Sequence, residues 1–203
     1  MTYDELASMV ESRPPGPRPF FSAVHVVRYL ELVQSRHFGR RELAQRLKLG
    51  EGSIRTITDL LRAKGLVNVV RGGARLTDAG AAALGSIRAE FSEGLPVPAS
   101  KAVVDACNVA IAVKGGGSRV SSGLEQRDAA IMAGSKGAST FVYSSGKLVF
   151  PGMYEDLAKL DARLSEAITG KLPLGEGDAV VVGSAPDIDA AFIGAIAAAA
   201  TLL

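Results

Sequence analysis

Apolar residues recur at helical spacing through the first third of the chain, and polar residues fill the positions between them. This pattern is typical of helices that bury one face. It predicts a helix from about 22 to 34, a second that begins near 40, and a third from about 52 to 64. The apolar positions are Ala23, Val26, Val27, Leu30, Val33, Leu43, Ala44, Leu47, Ile54, Ile57, Leu60 and Leu61. Two glycines within 49–53 permit a sharp turn before the third helix, so we predict a helix-turn-helix.

A β-branched pattern replaces the helical one after Gly65. Residues 66–70 predict a strand, Arg71-Gly72-Gly73 a hairpin tip, and 74–77 the returning strand. Asp78 is expected to cap a helix that runs to about Phe91. A short helix is also expected at 2–10, ended by the prolines at 14, 15, 17 and 19. A helix-turn-helix followed by a hairpin is a winged helix.

Positive charge is concentrated in the same stretch. Ten Lys or Arg residues lie between Arg36 and Arg75 against three acids, so the local balance is 10 − 3 = +7 in a chain whose total is +2. Residues 1–95 have 14 − 10 = +4 and residues 96–203 have 9 − 11 = −2. A compact helix-turn-helix with a basic wing fits a duplex phosphate backbone. We therefore predict double-stranded DNA as the partner of the first half.

The third helix is expected to enter the major groove through its N-terminal part. Its outward positions include Thr58 and Asp59, and the candidates for contacts with base edges are Ser53, Arg55 and Thr56. An arginine that binds a guanine through two hydrogen bonds discriminates by about 1–3 kcal/mol. Candidates for phosphate contacts are Arg40, Arg41, Arg62 and Lys64, and those for the backbone or minor groove are Arg71 and Arg75. The same charges also fit a solvated surface or an interface with protein or RNA.

The pattern changes at 94–98, where two prolines stop a helix and favour extended chain. We take this segment as the boundary between domains at 1–95 and 96–203. Strands are predicted at 109–113, 140–143, 147–150 and 178–183, and helices at 122–134, 154–168 and from 184 onward. The strand at 178–183 is expected to be central because neither of its faces is polar. The fold class is therefore α+β: a winged helix-turn-helix followed by a small α/β domain with a mixed sheet.

The glycines at 115–117 are interpreted as a hairpin turn, because the tract lacks the GxxxxGK[ST] pattern of a phosphate loop. Ser122 and Glu125 have the spacing of a capping box at the start of the next helix. The last helix is apolar all round, so it must be covered by its own domain, which we favour, or by a second subunit.

Two charged residues fall on the expected inward stripe of the helix at 122–134. Leu124, Ile131 and Gly134 define that stripe, and Arg127 and Asp128 lie on it. Buried charges are costly unless they are paired. The two residues therefore form either a structural ion pair or part of a polar pocket. The candidate ligand-binding residues are Lys114, Arg119, Gln126, Arg127, Asp128 and Tyr143.

Four segments carry a family resemblance: NVAIAVKG (108–115), SGLEQRDAAI (122–131), GAST (137–140) and KLVFPG (147–152). They resemble an archaeal family that joins an N-terminal winged helix to a C-terminal domain of unknown function of the DUF4443 type. The resemblance covers nearly the whole chain, and Ser139 stands where a threonine is expected. It implies an archaeal, cytoplasmic, two-domain regulator and supplies no catalytic residues.

Other features narrow the class of protein. One cysteine, Cys107, excludes an internal disulfide framework and a Cys-rich zinc site. His25 and His37 have no partner at metal-ligand spacing, and neither G-x-S-x-G nor H-E-x-x-H occurs. The apolar tract at 190–203 is shorter than the ~20 residues of a membrane span. We therefore expect a cytoplasmic protein with no enzymatic activity, no metal, no cofactor and no membrane partner.

The leading hypothesis is a DNA-binding transcriptional regulator, acting as a homodimer, whose second domain senses a small effector, dimerises, or does both. One alternative is a small-molecule-processing enzyme with an attached winged helix, for which a pocket with a perturbed acid or base would be evidence. Another is an architectural protein that associates through Phe192, Ile193 and Ile196. The sequence names neither the operator nor the effector, and it does not separate activation from repression.

Overall fold

The computed structural model describes residues 1–12, 20–153 and 155–203, and the chain divides into two compact units, Met1–Arg88 and Ala89–Leu203. The prolines at 14, 15, 17 and 19 lie outside the described residues. The predicted boundary at 94–98 is different in the structure, because Leu95–Val97 is a strand of the second unit's sheet. An X-Pro-X-Pro segment favours extended chain, and here an edge strand uses that preference.

The first unit is mainly helical. Its elements are α1 (Tyr3–Glu11), α2 (Ala23–Ser35), α3 (Arg40–Arg46), α4 (Glu51–Ala63), β1 (Val67–Val70), β2 (Gly73–Leu76) and α5 (Asp78–Glu90), which continues into the second unit. The apolar stripes meet in one core whose fully buried members include Tyr29, Leu30, Leu47, Ile54, Ile57, Leu61, Leu84 and Ile87. The predicted helices and hairpin are thus present.

A third strand position completes the sheet of this unit. β1 and β2 pair antiparallel, and Phe38 adds an isolated bridge to Ala74 on the other edge of β2. The amide of Ala74 donates to the Phe38 carbonyl at 3.0 Å. Helix, strand position, helix-turn-helix and hairpin together form a winged helix.

Two details of the first unit differ from the prediction. Thr77, not Asp78, caps α5, because its hydroxyl oxygen accepts from the Gly80 amide at 3.0 Å. Thr58 is turned toward the core, since its hydroxyl lies 2.9 Å from that of Tyr29 and donates to the Ile54 carbonyl. A threonine on an apolar flank can satisfy its hydroxyl in this way without facing solvent.

The second unit has a five-stranded sheet covered by helices on both faces. Its strands are β3 (Leu95–Val97), β4 (Cys107–Val113), β5 (Gly137–Ser144), β6 (Lys147–Val149) and β7 (Ala179–Ala185), in the order β3-β4-β7-β5-β6. All four pairings are antiparallel, so the α+β class is confirmed but the sheet is not mixed. β7 is central and buried at every position, as predicted.

The helices of this unit are α6 (Leu124–Met132), α7 (Leu157–Leu160), α8 (Ala162–Thr169) and α9 (Ile188–Ala200). α9 lies directly on β7, where a Cβ at Gly183 would collide with the backbone of Ala191 and Ala195. Its side chains Ile193 and Ile196 are buried, so the prediction that its own domain covers this helix is confirmed. On the opposite face, Leu157, Leu164 and Ile168 pack with Phe141, Val180 and Val182.

Three local predictions in the second unit are wrong. The glycines at 115–117 lead into a short 3-10 helix, Gly116–Arg119, in place of a hairpin. The expected capping box is absent, because α6 begins after Gly123, whose φ is 79° and which contributes no side-chain cap. The helix predicted at 154–168 is broken into α7 and α8, since Asp161 adopts an extended conformation and caps α8 by accepting from the Leu164 amide.

Candidate nucleic-acid interface

The exposed face of α4 carries the predicted base-contacting residues. Ile54, Ile57 and Leu61 anchor the opposite face in the core, which leaves Arg55 and Thr56 exposed and Ser53 half-buried. The hydroxyl of Thr56 donates to the Gly52 carbonyl at 2.9 Å. With its proton engaged, that hydroxyl offers lone pairs, so it accepts hydrogen bonds and matches the amino groups of adenine or cytosine.

The start of α4 has two opposing electrostatic features. Gly50 is the N-cap and gives no side-chain hydrogen bond, so the free amides of the first turn can face a phosphate. Glu51 lies in the same turn and works against an anion. Further along, Arg62 lies 4.0 Å from Asp59, and both side chains are well exposed. Such a pair is weak and screened by salt, so Arg62 can still contact a phosphate.

The wing is held against the segment that leads into α3. Gly73 at the hairpin tip has φ 119°, and a Cβ there would collide with the carbonyl of Phe38. Gly39, the next residue, is the N-cap of α3, so Arg40 and Arg41 follow directly. Backbone contacts therefore connect the wing arginines, Arg71 and Arg75, to the exposed arginines of α3.

Arg36 and His37 also lie on this surface, and the sequence pattern does not single them out. A cavity of about 420 Å³ is lined by Val33, Gln34, Arg36, His37, Arg75 and Leu76. His37 approaches the wing, because a Cβ at Gly72 would lie 3.1 Å from its Nδ1. The single strand position at Phe38 creates this arrangement. A strand one residue long has no alternation pattern that a sequence could display.

The charge of Arg36 is partly engaged. Its guanidinium forms an ion pair with Glu42 and lies 3.8 Å from the centre of the Phe38 ring. The hydrogen bond from Arg36 lowers the pKa of the Glu42 carboxyl below its usual value. Arg36 thus connects the end of α2 to α3, while His37 and Arg75 are the less constrained groups of the cavity. Arg40, Arg41 and Lys64 are exposed as expected.

The candidate ligand residues of the second unit do not share one pocket in the described structure. Arg119 donates to the Leu202 carbonyl, and the buried Gln126 amide donates to the Thr201 hydroxyl at 2.7 Å, so both hold the C-terminal segment. Arg127 and Asp128 are exposed and pair with each other at 2.8 Å. Their predicted inward stripe is wrong, because α6 buries Gln126 and Ala130.

Lys114 and Tyr143 have mainly backbone roles. The Lys114 amide donates to Glu90, and its side chain is exposed. The Tyr143 amide donates to the Asp178 carbonyl, and its ring packs partly against the core. Asp178 is itself buried and joins two loops, since its carboxylate accepts from the amides of Gly115 and Gly175, each at 2.8 Å.

No group of three or more His, Cys, Asp or Glu side chains in the described ranges could hold a metal ion. No helix in them is long and apolar enough to cross a membrane.

Fold and exposed surface together define a winged-helix DNA-binding domain attached to a small antiparallel α+β domain. Residues 23–90 match the family model of the CggR N-terminal DNA binding domain, and residues 104–202 match the domain of unknown function DUF4443. The two matches lie in the order DNA-binding winged helix, then DUF4443, which is the order that the resemblance implied.

The chain is similar over most of its length to a solved structure. That structure is the hypothetical protein PH0730 from Pyrococcus horikoshii OT3, with 28% sequence identity and a TM-score of 0.75. The similarity covers 90% of this chain and 92% of that one, so both domains occur there in the same order. A search of curated proteins finds no match. An archaeal origin for this chain stays a prediction.

Proposed function

We propose that the protein is a transcriptional regulator whose winged helix reads duplex DNA through Ser53, Arg55 and Thr56. In this proposal Arg40, Arg41, Arg62, Lys64, Arg71 and Arg75 contact phosphates or the minor groove. The supporting observation is the backbone contact between the wing tip and the start of α3, because it holds two groups of exposed cations in one arrangement. The match of residues 23–90 to a DNA-binding domain supports the same partner.

The second unit supplies regulation in this proposal. It senses a small effector, joins two chains into a homodimer, or does both, and the protein acts in the cytoplasm. The large apolar side chains exposed on α6, Leu124, Ile131 and Met132, favour the dimer. Gln126 and Arg119, in contrast, are engaged with the C-terminal segment. No catalytic role is proposed, and the DNA-binding domain supports a regulator over an enzyme.

The test is a titration of selected DNA at several salt concentrations. Duplexes enriched from a random pool by the wild-type protein are labelled, and the affinity is measured by fluorescence anisotropy. Arg55→Ala is expected to lose about 1–3 kcal/mol of discrimination at one base pair with the salt dependence retained. Arg75→Ala is expected to weaken all sequences alike and to reduce the slope of log K against log salt by about 0.9.

Lys171→Ala is the matched control, since Lys171 is an exposed cation of the second unit. It should leave both affinity and slope unchanged. A DNA affinity that does not change with salt concentration would contradict the proposed interface. So would an Arg55→Ala variant that keeps full discrimination between base pairs.

A further inference from the structure

We propose that the exposed face of α6 pairs with the same face of a second copy of this chain, across a two-fold axis between Arg127 and Asp128. The inference rests on the dimer part of the proposed function and assigns it a surface. The helix presents three large apolar side chains to solvent: Leu124 is 52% exposed, Ile131 48% and Met132 88%. Gln126 and Ala130 form the buried face, so these apolar side chains lie outside the core of the single chain.

The order of residues on this face is self-complementary. Leu124 precedes Arg127 by three positions, and Ile131 follows Asp128 by three. All four lie on one side of the helix, since residues three, four and seven apart share a face. When two such helices pack antiparallel about the midpoint, Leu124 meets Ile131 of the other copy at both ends. Arg127 then faces Asp128 of the other copy at the centre, twice.

Charge complementarity selects a second copy as the occupant. A two-fold interface requires that residue i contact residue j and that j contact i. The Arg127–Asp128 pair meets this requirement, because its members are adjacent and already in ion-pair contact at 2.8 Å within one chain. A partner of unrelated sequence would match this face only if it carried the same apolar and charged residues in the reverse order. Self-association explains both the apolar ends and the charged centre.

The apolar surface continues beside the helix. Val104 is 55% exposed, and both its side chain and the stem of Arg127 lie within 4 Å of where a Cβ on Gly137 would be. A helix of nine residues is about 13 Å long at 1.5 Å per residue. An interface of that length is small, and small interfaces form weak complexes. The dimer is therefore expected to dissociate on dilution.

The test uses charge reversal in the full chain, with mass measured by sedimentation velocity over a range of concentrations. Arg127→Asp places two acids at the centre of the face, and Asp128→Arg places two bases there. Each variant alone should weaken the dimer by roughly tenfold or more, because like charges then face each other. An equimolar mixture of the two variants should recover dimers, since acids face bases. The double variant Arg127→Asp/Asp128→Arg should also dimerise.

The mixture separates an interface from an intrachain ion pair. Loss of the intrachain pair is not repaired by mixing two chains that both lack it. Lys159→Glu, on the exposed surface of α7, is the charge-reversal control and should dimerise as the wild type does. Far-UV circular dichroism checks that each variant is folded. A wild type that stays monomeric, single variants that dimerise normally, or a mixture that stays monomeric would each overturn the proposal.

A separate measurement of DNA binding distinguishes failure of the α6 interface from failure of the proposed function. Binding of the monomeric variants to a short random-sequence duplex at low salt reports on the winged helix alone. Retained binding with lost dimers supports both proposals. Retained binding with normal dimers overturns only the α6 interface, and loss of binding by the wild type overturns the proposed DNA contact.

Discussion

Single side chains determine how individual helices begin, and His25 in the first turn of α2 is the clearest example. Its Nδ1 accepts from the Ser22 amide at 3.2 Å, which satisfies one amide at the start of α2. Burial lowers the pKa of His25 below 6.5. A protonated imidazole loses this acceptor lone pair, so the cap requires the neutral form.

The stability of the first unit is therefore expected to fall in acid. Below about pH 6.5 the unfolded chain binds a proton at His25 that the folded chain resists, so the free energy of unfolding decreases as the pH falls toward the folded-state pKa. Chemical denaturation followed by circular dichroism between neutral pH and pH 5 measures this change. His25→Gln keeps a neutral acceptor at the same helix position and should lack this component of the pH dependence. Equal pH dependence in both proteins would contradict the assignment.

Hydroxyl and carboxylate groups illustrate what the sequence leaves open at the residue scale. Thr58 was expected to face outward, yet its hydroxyl pairs with that of Tyr29, which lies 29 residues earlier in the sequence. This contact joins α4 to α2. Asp178 was expected simply to begin a strand, yet its carboxylate joins the loops at 115 and 175. Such roles depend on which backbone amides the tertiary fold brings near, and periodicity carries no information about that.

At the scale of elements, the wing is held beside the start of α3 in the candidate interface. The close approach of Gly73 to Phe38 fixes the hairpin tip beside the arginines of α3. Gly73→Ala would place a Cβ where the Phe38 carbonyl lies and would strain a backbone with φ 119°. The hairpin must then move away from the start of α3.

We expect Gly73→Ala to lower DNA affinity and to reduce the salt slope by about 0.9 for each wing arginine that loses its phosphate. Base discrimination by α4 should persist, because Ile54, Ile57 and Leu61 still anchor that helix. Anisotropy titrations against selected and scrambled duplexes measure both quantities. Gly85→Ala is the control, since a Cβ there has open space. Loss of discrimination in Gly73→Ala would show that the wing positions α4.

The apolar pattern locates an element when large apolar residues make its buried face, and it misplaces the element when small residues do. α2, α4 and β7 bury valine, leucine and isoleucine, and the pattern located them. α6 buries Ala130 and Gln126 instead, so its large residues, Leu124 and Ile131, were misassigned to the core. Close packing on the alanine-rich α9 favours small side chains, which apolar periodicity does not detect. The break at Asp161 was missed because one capping residue interrupts an otherwise continuous stripe.

At the scale of the whole molecule, the chain consists of two units with separate cores, each assembled from its own segments. The sequence predicted both, because the charge balance and the element pattern change together along the chain. The observed boundary lies earlier in the sequence than the predicted one, because the segment of β3 belongs to the sheet of the second unit. The candidate DNA residues all lie in one unit, so binding and regulation are assigned to different cores.

Ligand binding is therefore expected to stabilise the units unequally. DNA at about one hundred times its dissociation constant raises the free energy of unfolding of the unit that binds it by roughly 2.7 kcal/mol, if only the folded state binds. Hydrogen exchange measured by mass spectrometry should show added protection in α3, α4 and the hairpin. Amides of β4, β5 and β7 should exchange at unchanged rates in a variant that cannot dimerise, such as Asp128→Arg. Protection confined to the second unit would refute the assignment of DNA binding to the winged helix.

The burial of α9 inside its own unit has a consequence for occupancy of a target site. Since no core residue of that helix depends on another subunit, a dissociated chain remains folded and available to re-associate. The proposed pairing through α6 would then be a reversible equilibrium among intact chains. When free chains predominate, the amount of paired protein grows with the square of total protein. A target that requires two winged helices would fill over a narrower range of expression levels than one that requires a single copy.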